Sequence, residues 1–308
     1  MQNLLNDIKT ATEETNNFLA TEVTEKKLKM ENDKIINGNC WVAYFDILGF
    51  SNMVESFPVN FVLEKYKVAI DTSNDYSEAC KIKVKLFSDS FVFYTENDSQ
   101  DSFRGITTAS AVLFQKMFLK EIPMRGCLNV GQFYADEKNG VFFGQAITEA
   151  HNLAEGQNWL GFVLTEKTRE KQMDFESVGF KSNNKLRYLE YEVPYKQKPY
   201  RRKLPTYNLN LLFIDYHTAE AKDFQKRLLI ALGNMQFKAI LMLRQRKKGE
   251  NAAVEKSPEY KKIITKYKNT RQFLCYVYPT LKGRKTKKLN GVNPCESVSK
   301  KINSLCSL

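Results

Sequence analysis

The sequence predicts an α+β fold with the element order β-α-β-β-α-β, and three observations carry that expectation. The stretch Trp41 to Ser51, WVAYFDILGFS, is a run of apolar, β-branched and aromatic residues broken by Gly49, the pattern of a buried strand. The stretch Lys81 to Tyr94, KIKVKLFSDSFVFY, alternates charged and apolar residues, turns at Ser88-Asp89-Ser90 and runs apolar again, the pattern of a hairpin. Segments 58–76 and 105–119 have apolar residues at helical spacing and fall before and after that hairpin.

In chain order, residues 3–34 place a few leucines and isoleucines among many charges and read as one or two polar helices. Asn37-Gly38-Asn39 is a turn signal, so a helical N-terminal arm is expected over 1–38. The first strand follows at 40–48, then the helix 58–76, hairpin strands at 81–87 and 90–95, a polar loop at 97–102 and the helix 105–119, stopped by Pro123. MRGCLNVGQFY at 124–134 reads as a central strand, which completes the ferredoxin-like split unit. A turn at 136–140, the short run Val141-Phe142-Phe143, a helix at 145–156, a strand at 159–165, a short helix capped by Thr165 and a strand at 185–193 elaborate its end. The Pro-, Lys- and Arg-rich 194–205 reads as a linker. Beyond it lie a strand-like 208–216, a long helix over about 217–246, another at 257–276 and a loose tip from Gly283. The domain at 39–195 is therefore followed by a basic, mainly helical extension at 196–308, whose many apolar residues call for packing against that domain.

Composition narrows the function classes. At 308 residues the chain can bury a core without staples. It has no apolar run of the roughly 20 residues a membrane helix needs, and its polar N-terminus is unlike a signal peptide. The six cysteines form no CxxC pair and read as free thiols in a reducing cytoplasm; two distant histidines exclude a His-based metal site. Residues 201–308 carry 24 Lys+Arg against 7 Asp+Glu, a net +17, while residues 1–200 are at −5. Such a basic segment suits an anionic partner or is simply a solvated surface.

Two carboxylates stand out because a charge inside a strand is costly without a partner. Asp46 interrupts the first strand, and Asp89 tips the hairpin 43 positions later. Asp46 either caps the turn after its strand or binds a cation. If the two strands pair, both converge on one hard divalent ion with room for substrate phosphates.

The order FDILGF, FSDSF, RGCLNVG and FFGQAITEAHNLAE, over about residues 38–195, resembles the class III nucleotidyl cyclase catalytic domain, and within it the bacterial pyrimidine cyclases of Pycsar anti-phage defence. The resemblance implies that two Mg²⁺ or Mn²⁺ ions are held by Asp46, Asp89 and the carbonyl of Ile47. It implies a cytoplasmic homodimer with composite sites, turning UTP or CTP into cyclic UMP or cyclic CMP as a defence second messenger. Lys85 matches a base-reading position, unless it is merely an exposed strand lysine. Val141 stands where purine cyclases carry a polar base-reading residue, a departure that argues against ATP and GTP. Arg125 matches a conserved strand spacing and is either a substrate contact or a strand-start arginine. Thr148 and Asn152 hold the places of the transition-state Asn and Arg, and Asn152 brings no positive charge. Lys181 aligns loosely with a triphosphate-binding lysine, with Lys185 and Arg187 as competitors. A competing expectation is a non-catalytic nucleotide- or nucleic-acid-binding protein on a degenerate cyclase fold; loss of the Asn/Arg pair and the basic segment favour it, and retention of both Asp residues weighs against it and against a nucleic-acid partner.

Overall fold

The computed structural model describes residues 35–177, 188–209, 219–247 and 251–278. Strand β1 (Ile35–Ile47) is followed by helices α1 (Phe50–Ser56) and α2 (Val59–Ser77). The hairpin β2 (Lys83–Phe87) and β3 (Ser90–Tyr94), helix α3 (Gln100–Leu119) and strand β4 (Met124–Asp136) complete the β-α-β-β-α-β order. Then come β5 (Val141–Phe143), α4 (Gln145–Gly156), β6 (Phe162–Leu164), α5 (Glu166–Ser177), β7 (Tyr188–Pro194) and β8 (Arg201–Tyr207). Helices α6 (Ala219–Lys247), α7 (Asn251–Lys256) and α8 (Pro258–Val277) close the described chain.

The strands form one sheet in the order β2-β3-β1-β4-β6-β8-β7, with β5 paired to β4. The antiparallel β2-β3-β1-β4 portion is the ferredoxin-like arrangement expected from the sequence. Paired residues share a face, so the register sorts the sheet. Phe45 and Phe91 pair on one face, where Phe45 stacks on Phe162 at 5.0 Å and Phe114 lies 6.2 Å from Phe162. Helix α3 covers this side, burying Phe103, Ile106, Leu113, Phe114 and Phe118. Tyr44, Asp46 and Ser90 share the opposite face, over which α4 lays Ala146, Ala150 and Ala154. Alanine at these positions lets the helix approach the strands closely.

Four sequence expectations change. The Asn37-Gly38-Asn39 stretch is no turn: β4 is long enough to pair with β1 from Ile47↔Met124 through to Ile35↔Asp136, and this ladder holds residues 37–39 extended. Of the expected arm 1–38, residues 35–38 belong to β1 and residues 1–34 lie outside the described residues. The expected loop at 97–102 runs into α3, because Ser99 caps the helix by accepting from Ser102 N and polar residues suit its exposed first turn. The expected linker 194–205 is mostly sheet. Lys196–Tyr200 is the bend of a hairpin whose strands pair from Pro194↔Arg201 to Tyr188↔Tyr207. Most of the strand-like 208–216 lies outside the described residues.

Helix α6 packs on α3 and α1. It buries Phe224, Leu228, Leu232 and Met235, while Gln115 Nε2 donates to Leu209 O at 2.8 Å and Tyr278 Oη to Asn208 O at 2.8 Å. Cys40, Cys80, Cys127 and Cys275 are free thiols. Burial pushes the Cys40 thiol up to about 11, which leaves it inert near neutral pH. No described helix is long and apolar enough to cross a membrane.

Candidate active site

Strand pairing brings the two sequence-singled carboxylates together. Asp46 lies opposite Ser90 in the β1–β3 ladder, and Ile47 N donates to Asp89 O at 2.9 Å. Asp46 and Asp89 therefore occupy one end of two adjacent strands. On the other side, β4 places Arg125 opposite Asp46. Arg125 is only 6% exposed, and its guanidinium donates through Nε and Nη2 to the same oxygen, Asp46 Oδ2, at 2.7 and 2.6 Å. Nη1 donates to the carbonyls of Glu155 at 2.8 Å and Gln157 at 3.4 Å, at the C-terminal end of α4. Carbonyls that a helix end leaves without intrahelical partners, at its negative pole, suit a buried cation.

Burial raises the Asp46 carboxyl above the usual range; Arg125 pulls it back, and the charge on Asp89 pushes it further up. A buried carboxylate beside a second one gains from a cation. The donors are hard oxygens, and Asp46 Oδ1 and Asp89 complement the oxygen preference of Mg²⁺ or Mn²⁺. Among the described residues no group of three or more His, Cys, Asp or Glu side chains comes together to hold a metal. An ion here would rest on this pair, backbone oxygen and substrate phosphate. The pair fits such a partly substrate-supplied shell and not an all-protein cage.

The remaining expected site residues fall in separate places. Lys85, on the same sheet face as Asp46 by register, lies 5.3 Å over the Phe142 ring and 3.9 Å from Glu137 Oε2. Phe87 meets Phe142 edge-on at 5.9 Å. Val141 is 42% exposed and, by the alternation along β5, lies on the side away from Phe142, so the residue that meets Lys85 is Phe142. Phe143 stacks on Tyr134 at 4.8 Å. Thr148 and Asn152 are exposed on α4. Thr148 Oγ1 donates back to Gly144 O at 3.0 Å, and Asn152 lines a cavity of about 700 Å³ with Lys167, Lys196 and Arg202. His151, not Asn152, reaches β1: its ring meets Tyr44 edge-on at 5.1 Å. Among the described residues neither Thr148 nor Asn152 bonds to Asp46 or Asp89, while Glu155, about one turn beyond Asn152, holds Arg125 through its carbonyl. Lys181 lies outside the described residues.

Gly144 sets where α4 begins. Its φ is +146°, and a Cβ there would lie 2.4 Å from Gln132 O and 2.8 Å from Phe133 Cα, so a glycine is required for the helix to start against β4.

Residues not found from the sequence also shape the site. Glu137, read only as part of a turn, accepts from Tyr94 Oη at 2.6 Å and stands 3.8 Å from Lys83. The basic-apolar alternation of β2, which puts Lys83 and Lys85 on one face, was its one signal. Lys196 and Lys266 bring positive charge to Asp46 and Arg125 from β7–β8 and α8. Nothing local in sequence links position 266 to position 46.

No family model and no curated protein matches this chain. Among solved structures it is similar to the catalytic core of a rhodopsin-guanylyl cyclase with converted specificity, in complex with ATPαS, at 10% identity and a TM-score of 0.44 over 56% of this chain and 98% of that one. It is also similar to the monomeric guanylyl cyclase domain of the RhoGC fusion protein from the aquatic fungus Blastocladiella emersonii, at 14% identity and 0.40 over 51% and 90%. A third likeness is to the adenylyl cyclase CyaB from P. aeruginosa, at 12% identity and 0.40 over 59% and 98%.

Proposed function

We propose that this chain is a pyrimidine nucleotide cyclase, converting UTP, or CTP, to the 3′,5′-cyclic monophosphate and pyrophosphate. The observation that carries the reading is the convergence of Asp46, Asp89 and Arg125 at one end of three adjacent strands. In the reaction the 3′-hydroxyl oxygen bonds to the α-phosphorus, the bond to the α–β bridging oxygen breaks, and pyrophosphate leaves. Such phosphoryl chemistry asks of the protein mainly position and positive charge. Two Mg²⁺ or Mn²⁺ ions, held by Asp46, Asp89 and the Ile47 carbonyl, would supply charge neutralisation at the attacking and leaving oxygens.

On this reading residues 39–195 form the catalytic domain. The exposed Thr148 and Asn152 complete the site of a second chain across a twofold axis, Thr148 holding the ribose. Lys85 reads the base. Its ammonium donates to a carbonyl oxygen, which favours uracil O4 over the cytosine amino group. Phe87 and Phe142 beside it support a pocket sized for one ring. Val141, apolar where a purine-reading polar group stands in the resembled family, supports the same choice.

The test is incubation with equimolar ATP, GTP, CTP and UTP and Mn²⁺, with products identified by mass. Cyclic UMP is expected. Cyclic AMP or cyclic GMP as the main product overturns the pyrimidine reading, and no product from any of the four turns the chain into a nucleotide-binding protein without turnover. Mixing an Asp46→Asn chain with a Thr148→Ala/Asn152→Ala chain should restore part of the activity if the site is shared between two chains.

A further inference from the structure

The site has a cation that no strand of the sheet supplies. Helix α8 is pinned to the loop after α4: Asn269 Nδ2 donates to Asn158 O at 2.9 Å, Leu160 N donates to Thr270 Oγ1 at 2.8 Å, and Trp159 meets Phe273 edge-on at 4.8 Å. That loop follows directly from Glu155 and Gln157, whose carbonyls hold Arg125. Lys266 stands one turn before Thr270 on the same side of α8, and its own carbonyl accepts from Thr270 Oγ1 at 3.0 Å. Near the middle of α8 (Pro258–Val277), it is within electrostatic reach of Arg125, Lys196 and Asp46.

Three cations, Arg125, Lys196 and Lys266, come within electrostatic reach of one another. Arg125 is paired with Asp46, and Glu155 stands 3.9 Å from Lys196. Lys266 forms no ion pair with a carboxylate among the described residues. Burial, then Arg125, then Lys196 push its ammonium down to about 8. A cation held beside two others without a carboxylate of its own costs folding free energy, and such a position is preorganised for an incoming anion.

We propose that Lys266, delivered by the C-terminal helix α8, binds the phosphates of the nucleotide beside Arg125 and provides the positive charge that Asn152 lacks. The proposal rests on the cyclase reading for its ligand. The pyrophosphate leaving group takes the electron pair of the broken P–O bond and gains negative charge, and the proton of the 3′-hydroxyl leaves to solvent. An ammonium at the phosphate end stabilises the leaving group most when that charge has developed. The net positive charge of the C-terminal segment then has one residue with a defined role inside the site.

The experiment uses the full chain and inorganic tripolyphosphate with Mg²⁺, which reports phosphate binding without base recognition or turnover. Calorimetric titration should show binding by the wild type. Lys266→Met should weaken it about 10-fold or more, the loss expected for one charge-assisted hydrogen bond, and Lys266→Arg should restore most of it. Lys268→Met, on the exposed side of α8, should leave it unchanged. With UTP and Mn²⁺, Lys266→Met should raise KM and lower kcat, and Lys266→Arg should recover both. Weakened tripolyphosphate binding with no cyclic product from any nucleotide keeps the Lys266 assignment and overturns the cyclase reading. Cyclic product from a folded Lys266→Met chain with wild-type KM and tripolyphosphate affinity overturns the Lys266 assignment and keeps the cyclase. Absence of tripolyphosphate binding by the wild type overturns it too. Should Lys266→Met not fold, Lys266→Gln serves the same comparison.

Discussion

Arg125 places two donors, Nε and Nη2, on the single oxygen Oδ2 of Asp46, at 2.7 and 2.6 Å. The proposed metal ligand is thus also the counterion of a buried guanidinium. Removing the carboxylate has two effects that separate variants will resolve. Asp46→Ala leaves Arg125 buried without its anion, a loss of about 3 kcal/mol. Asp46→Asn keeps an oxygen acceptor and the side-chain shape, so it should cost less than about half of that. Both should lower cyclisation by about 100-fold or more, because neither offers a carboxylate to a cation. Urea denaturation and product assays on the two variants check this; equal stability losses would show that Arg125 does not depend on the charge.

Asp89 behaves differently because it forms no such ion pair among the described residues. Its charge acts on Asp46, Tyr44 and Tyr66, in each case by raising their pKa. Asp89→Asn removes that repulsion, so the fold should keep its stability within about 0.5 kcal/mol. Mn²⁺ should raise the melting temperature of the wild type and not of Asp89→Asn, and turnover should fall with it. A Mn²⁺ shift that survives in the variant would remove Asp89 from the metal site.

The strands and the two carboxylates were legible because their signals are local. A charge inside WVAYFDILGFS and a Ser-Asp-Ser turn between alternating runs need no knowledge of the rest of the chain. The helix periods of α2 and α3 were equally local. Long-range pairing was not legible: residues 37–39 look like a turn until β4 is found to be long enough to hold them extended. The β7–β8 hairpin was hidden by its own composition, since Pro, Lys and Arg mark a linker when no partner strand is known. Arg125 was found by its spacing, but its bond to Asp46 follows from a register that crosses 79 positions. Lys266 had no signal at all, since its importance comes only from where α8 docks.

That docking rests on a few bonds, of which Leu160 N to Thr270 Oγ1 is fully buried. Thr270→Val keeps the shape of the side chain and deletes the acceptor. The buried amide is then unsatisfied, at a cost of about 1 to 3 kcal/mol. Thr270→Ser, which restores the hydroxyl, should recover much of it. Cutting the chain after residue 209 should be far worse, because it removes α6 with its buried Leu228, Leu232 and Met235 and uncovers the parts of α1 and α3 that α6 packs on, and an aggregated product is expected. A soluble, active fragment of that length would make the C-terminal helices dispensable to the catalytic domain.

The ammonium of Lys266 gives a pH signature of its position. Burial, with Arg125 and Lys196, lowers its pKa to about 8, below the usual value of 10.5. Below pH 8 the group is protonated in both folded and unfolded chains, and the folded state bears the full cost of the crowded charge. Between about 8 and 10.5 the folded state has released the proton while the unfolded state still holds it, so the cost fades as pH rises. Lys266→Met never bears that cost. At pH 7 it should therefore be more stable than the wild type, by on the order of 1 to 3 kcal/mol once partial solvent screening is allowed for. The advantage should shrink steadily from pH 8 and vanish near pH 10.5. The difference between their denaturation curves isolates Lys266 together with the groups coupled to it, Lys196 and Asp46. Saturating tripolyphosphate at pH 7 should narrow the same gap, since a bound anion compensates the charge. Curves that stay parallel from pH 7 to 10.5 would mean that Lys266 does not lie among these cations.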